Sequence, residues 1–174
     1  QIKLWEYSRV EVHCIAIPVS TRQFHEDDLV ELLHQLLKEY DLPPTRLRLE
    51  ISEAAIMRDS EKASAILLQL KRMGIKVALD NFANHFSNIA HLKNFISDFI
   101  CIDPPAVQAL GKSAESDEAV AKLVAMANKF GIKAIGKGVE TAAQYAWLKH
   151  TGCSLLQGPF ISEALDPQVI RERL

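Results

Sequence analysis

The sequence predicts an α/β fold in which about six strand–helix units build a parallel sheet curled into most of a barrel. Three observations carry this. Short apolar runs rich in Val, Ile and Leu alternate with longer stretches of helical spacing along the whole chain. The runs are apolar throughout rather than alternating, as in strands covered on both faces, which is the habit of parallel sheets. Finally, carboxylates and amides fall at the carboxyl ends of successive runs, the end at which a barrel places its chemistry.

In order, the opening Q-I-K-L-W-E-Y reads as the end of a helix; with no initiator methionine, the expectation is a piece of a longer protein. The first strand is predicted over 12–19. Its turn, P-V-S-T-R-Q, lacks the glycines that a dinucleotide-binding sheet needs after its first strand, which disfavours the open doubly wound alternative. Further strands are predicted over 47–52, 76–80, 99–103, 133–136 and 154–157. Helices are predicted over 27–40, 61–73, 88–94, 117–130 and 142–150, with a last one from Gln168. Gly74, Gly131 and Gly152 stand where helices should close before the next strand. Pro104–Pro105 ends its strand abruptly and suits the start of a helix or turn. No stretch reads as a linker, so residues 1–174 are expected to form a single domain.

Composition narrows the function. A chain of 174 residues, 48% hydrophobic, can bury one real core. A net charge of −2 leaves no basic footprint for a nucleic-acid polymer. No apolar run reaches bilayer length and the start has no signal-peptide layout, so no membrane insertion by this chain is expected. Cys14, Cys101 and Cys153 lie far apart in apolar runs, the pattern of reduced, buried thiols in a cytoplasmic protein.

Glu50 and Glu53 together, and Asp80, Asp103, Glu140 and Gln157 singly, lie at or just after the carboxyl ends of five different strands. Singly, each reads as strand-end punctuation or a helix cap. As a set around one barrel mouth they resemble the ligands of a cation or phosphate-ester site. One strand end raises a question: K-V-A-L-D-N-F-A-N-H-F-S-N-I places the amide Asn81 where a second acid would have strengthened a cation site.

Five ordered segments carry a family resemblance: L-E-I-S-E (49–53), A-L-D-N-F (78–82), I-C-I-D (100–103), G-K-G-V-E-T (136–141) and C-S-L-L-Q-G (153–158). They resemble the E-x-T-E, D-D-F-G, K-I-D, A-E-G-V-E-T and Q-G-Y segments of the EAL domain family, bacterial cyclic di-GMP phosphodiesterases with a modified TIM barrel. The resemblance implies a TIM-barrel-like EAL fold, incomplete, forming the carboxyl-terminal part of a larger signalling protein. The E-A-L segment and the first two barrel strands would precede residue 1. Active members hold two divalent cations and use a lysine to position the attacking water. Here Pro18 stands at the metal asparagine, Asn81 at the second acid, Cys101 at the lysine and Lys137 at a glutamate. Glu50, Asp80, Asn81, Asp103, Glu140 and Gln157 remain as residual metal- or ligand-site positions, with Glu53 as the anchor of the loop after Asp80. Ala83 and His85 replace glycines in that loop, and Pro159 replaces an aromatic.

The departures have a shared logic. Paired Mg²⁺ or Mn²⁺ ions need bridging carboxylate oxygens to offset their mutual repulsion, and neutral Asn81 cannot supply one. An inward Lys137 would place a fixed positive charge where a cation should bind. It is therefore expected within ion-pair reach of at least one of Glu50, Asp80, Asp103 and Glu140. Cys101 reads as a small buried residue in the space a lysine left, since no histidine can be placed beside it as a base. The expectation is a catalytically inactive EAL-like domain without cofactor, acting as a regulatory, protein-interaction or dinucleotide-receptor module. Its partners would be cyclic di-GMP, a second protein or a homodimer. The alternatives are a weak phosphodiesterase using Mg²⁺ or Mn²⁺, and an unrelated βα-barrel enzyme.

Overall fold

A computed structural model of the chain describes residues 1–7, 12–80 and 97–173. Two compact units are present: Gln1–Val77 with Ala164–Leu174, and Ala78–Glu163. Each is described by itself.

The first unit contains α1 (Ile2–Tyr7), β1 (Ile15–Val19), α2 (Thr21–Phe24), α3 (Leu29–Glu39), β2 (Leu47–Ser52), α4 (Glu53–Arg58) and α5 (Ser60–Met73). The start of β3 (Lys76–Asp80) also belongs to it. β1 and β2 pair in parallel from Ile15↔Leu47 to Val19↔Ile51. The core comes from Phe24, Leu49, Ile51, Ile56, Leu67 and Leu70, each no more than 1% exposed. Each such side chain contributes roughly 1.5–3 kcal/mol through removal from water. The P-V-S-T-R-Q segment starts a helix rather than a plain turn. Ser20 Oγ accepts from the Gln23 N–H, and Gln23 Oε1 accepts from the Ser20 N–H at 3.1 Å. That reciprocal capping box satisfies two helix-end donors and was legible as S-x-x-Q. Ser52 caps α4 in turn, its hydroxyl accepting from the Ala55 N–H.

The second unit carries the end of β3, then β4 (Phe99–Ile102), α6 (Pro104–Gln108), α7 (Ala114–Lys129), β5 (Lys133–Lys137), α8 (Ala142–Thr151) and β6 (Leu155–Gln157). Every pairing is parallel: β3 with β4, β4 with β5, β5 with β6. Ile100, Ile102, Leu123, Val124, Ala134 and Leu148 are buried between strands and helices. Gly74 and Gly152 are the left-handed C-caps the sequence predicts, and Gly131 follows the C-cap Phe130. After Gln157 the chain returns to the first unit, where α9 (Pro167–Arg173) takes a hydrogen bond from Trp5 Nε1 to the Pro167 carbonyl at 3.0 Å. The helix predicted over 88–94 lies outside the described residues, as do Asn81, Ala83 and His85. No described helix is long and apolar enough to cross a membrane.

One sequence expectation needs correction. Cys101 and Cys153 are buried, but Cys14 is exposed. The reason is the strand boundary: β1 begins at Ile15, so Cys14 precedes the ladder. Burial pushes the Cys153 thiol up, and its Sγ donates to the Ala134 carbonyl at 3.3 Å. In the native protein at neutral pH, alkylation is therefore expected at Cys14, with Cys101 and Cys153 reacting only after denaturation. Peptide mapping of the alkylated protein checks this. Prompt labelling of Cys101 in the folded state would contradict the packing.

Candidate functional site

The second unit holds a charged cluster at the carboxyl ends of its strands. Side chains alternate across a strand, so Ala78 and Asp80 of β3 share a face, as do Ile135 and Lys137 of β5. Ala78, Cys101 and Ile135 form one packed group, at most 2% exposed. Asp80 and Lys137 rise from that same face, and Lys137 Nζ donates to Asp80 Oδ1 at 2.8 Å. The pair is largely screened from solvent, the side chains being 15% (Lys137) and 25% (Asp80) exposed. The sequence expectation for Lys137 is met, with Asp80 as its partner.

The register of β5 and β6 sets Gln157 beside Lys137. The pairing continues past the strand ends. The Val139 N–H donates to the Gln157 carbonyl and the Phe160 N–H to the Val139 carbonyl, both at 3.0 Å. Two glycines permit this approach. A Cβ on Gly158 would lie 2.2 Å from Val139 N, and one on Gly138 (φ +75°) 2.7 Å from Pro104 Cβ. Gly138→Ala therefore meets both a left-handed backbone and a wall. It should cost about 1–3 kcal/mol, read as a lower urea midpoint; an unchanged midpoint would show the turn to be pliable.

Beyond this turn, Glu140 Oε1 accepts from Gln108 Nε2 of α6 at 2.7 Å, and the Glu140 N–H donates to Gln144 Oε1 at 2.8 Å. Gln144 and Thr141 form a capping box that fixes the start of α8. Asp103 is the N-cap residue of α6 and is only 2% exposed. Gln108 was not legible as a site residue, because the helix that delivers it begins at Pro104–Pro105 and read equally well as a turn.

Glu50 and Glu53 belong to the first unit. Glu50 is 9% exposed, and Arg48 Nη2 lies 3.6 Å from its Oε1. Sequence reasoning missed Arg48, although R-L-E in a strand puts Arg48 and Glu50 on one face. Pro18 sits beside Glu50 in the register of β1 and β2 and has no side-chain donor atom to offer a cation. Glu53 occupies the first turn of α4, where a carboxylate suits the helix dipole. Its Oε2 is buried without a hydrogen-bond partner among the described residues.

Within each unit these acids are already engaged by protein groups. Asp80 is engaged by an ammonium, Glu50 faces a guanidinium, and Glu140 is held by an amide. No three His, Cys, Asp or Glu side chains among the described residues come together as a metal-holding group. The Lys137 ammonium on Asp80 Oδ1 would repel a divalent cation approaching that carboxylate.

The family model for the EAL domain matches residues 1–164, and the chain belongs to the EAL domain family. It is 30% identical over 168 residues to the signaling protein YkoW of Bacillus subtilis, covering 97% of this chain and 21% of that protein. It is 32% identical over 158 residues to MucR of Pseudomonas aeruginosa, named a bifunctional diguanylate cyclase/cyclic di-GMP phosphodiesterase, covering 91% of this chain and 23% of that one. The chain thus spans about a fifth of the length of these relatives. Among solved structures, the PaMucR phosphodiesterase in complex with c-di-GMP matches with a TM-score of 0.91 at 29% identity, covering 97% of this chain and 68% of that chain. The FimX EAL domain matches with a TM-score of 0.83 at 27% identity, covering 93% of this chain and 66% of that chain. The fold is therefore α/β, a TIM-barrel-like EAL fold represented here by its six parallel strands and their helices.

Proposed function

We propose that this chain is a non-hydrolytic EAL domain acting in bacterial cyclic di-GMP signalling, in the cytoplasm, as a regulatory module that contacts another protein. Membership of the family and the likeness to named cyclic di-GMP phosphodiesterases supply the signalling context. The observation that carries the loss of hydrolysis is the Lys137–Asp80 ion pair, which ties up the acid at the D-N strand end with a fixed cation. No cofactor is part of this reading. The site-residue roles follow from it: Glu50, Asp80, Asp103, Glu140 and Gln157 are retained acceptors, and none is a catalytic residue.

Contact with a protein is favoured over tight dinucleotide binding by charge. Among the described strand-end residues of the second unit, the acids Asp80, Asp103 and Glu140 outnumber the cation Lys137, a balance that disfavours an anionic phosphodiester in the absence of bound cations. On the first unit α3 leaves Leu32 48% and Leu36 41% exposed, apolar surface suited to a protein partner. The rival reading, a weak phosphodiesterase with Mg²⁺ or Mn²⁺, requires a metal to bind Asp80 beside the Lys137 ammonium. Calorimetric titration with cyclic di-GMP, in EDTA and in Mn²⁺, separates the readings. No saturable heat is expected in either; saturable binding that needs Mn²⁺ would overturn the proposal.

A further inference from the structure

Lys137 reaches Asp80 by passing across the strand between them, and that passage depends on what β4 places in its way. The register pairs Leu79 with Ile100, so the next residue of β4, Cys101, comes level with Asp80. On its other side Cys101 is paired with Ile135, two residues before Lys137. Asp80 and Lys137 therefore stand two strand spacings apart and two residues out of level, roughly 11–12 Å at the backbone, with β4 between. The Lys137 side chain closes this gap to 2.8 Å. Cys101 lies on the face they share and is 0% exposed, packed with Ala78 and Ile135.

We infer that Cys101 is the positioning residue of this cluster: its small side chain leaves the path by which the β5 lysine reaches the β3 acid. A long side chain at 101 would point into that path and turn Lys137 away from Asp80. A lysine at 101 would bring a second ammonium toward the same carboxylate, and like charges in a poorly solvated site repel. The cation on Asp80 can therefore come from β4 or from β5, and the two compete for that carboxylate. This rests on the reading of Asp80 as internally neutralised, and it goes beyond it by naming the residue that decides where the neutralising charge is held.

The test is a set of four variants of the whole chain, followed by melting temperature and by mass-spectrometric labelling of Lys137 with an amine reagent. Cys101→Ala should keep Lys137 as protected as in the parent protein. Cys101→Leu should fold with a lower melting temperature and label at Lys137 several-fold faster. Cys101→Lys should be destabilised, and Cys101→Lys with Lys137→Met should regain much of that loss, because the β4 lysine then has Asp80 to itself. A folded Cys101→Leu protein with Lys137 still protected would overturn the inference. Where Cys101→Leu does not fold, the charge swap decides: a double variant no more stable than Cys101→Lys alone would overturn it. Hydrolysis of cyclic di-GMP by the parent protein would sink the proposed function and leave this placement of Cys101 and Lys137 standing.

Discussion

Incubated with cyclic di-GMP and either Mg²⁺ or Mn²⁺, the purified chain is expected to release no linear dinucleotide. Two-metal hydrolysis needs cations close enough to activate water and to stabilise the leaving oxygen, held by anionic ligands. In the second unit the acid at the D-N strand end is bonded to Lys137, and the Cys101 position offers a buried thiol in an apolar cluster instead of a cation. In the first unit Glu50 faces Arg48 and lies beside Pro18. Each of these acids already has a protein cation near it, whose charge opposes the binding of a metal there. The effect is all or none rather than graded, and chromatography of the nucleotide pool reads it directly. Metal-dependent turnover that disappears on Asp80→Ala would contradict this account.

Lys137→Met is expected to lower stability by about 1–3 kcal/mol, less than the loss of a fully buried partner because both groups keep some solvent. For a chain of this size that is a fall of roughly 3–10 °C in melting temperature. The cause is the carboxylate left behind. Asp80 is 25% exposed, so part of its hydration is gone and the ammonium at 2.8 Å replaces it. Removing the lysine removes that compensation, whereas Asp80→Asn with Lys137→Met removes the charge as well and should recover most of the stability. Melting curves of the single and double variants at neutral pH test it. A single variant as stable as the parent at neutral pH would show the pair to be a dispensable surface contact.

The strands were the most legible part of the chain. Leu47–Ser52 and Lys76–Asp80 form with the bounds that the apolar runs predict, because such runs have no other way to be buried on both faces. Short helices were harder. α2 and α4 are four and six residues long, too short for an apolar period to show, and each is fixed by a cap at Ser20 or Ser52. Of the candidate site, the acids and Lys137 could be read from strand ends, but their pairing could not. Which acid Lys137 reaches depends on register across three strands, and register is set by the fold as a whole. Arg48 and Gln108 were missed for different reasons. The first is a charged residue inside an apolar run, legible only by following the alternation from Glu50; the second sits on a helix whose start looked like a turn.

The central claim is that the second unit carries its own cation where relatives of this sequence pattern would recruit one. Melting temperature as a function of Mn²⁺ concentration tests it most directly, since a ligand that binds only the folded state raises the midpoint as it saturates. The account predicts a flat response for the parent chain. It also predicts a rising response for Lys137→Glu, which replaces the ammonium beside Asp80 with a second carboxylate. A parent chain whose midpoint climbs saturably with Mn²⁺, and loses that climb on Asp80→Asn, would show that Asp80 serves a metal and that Lys137 does not take its place.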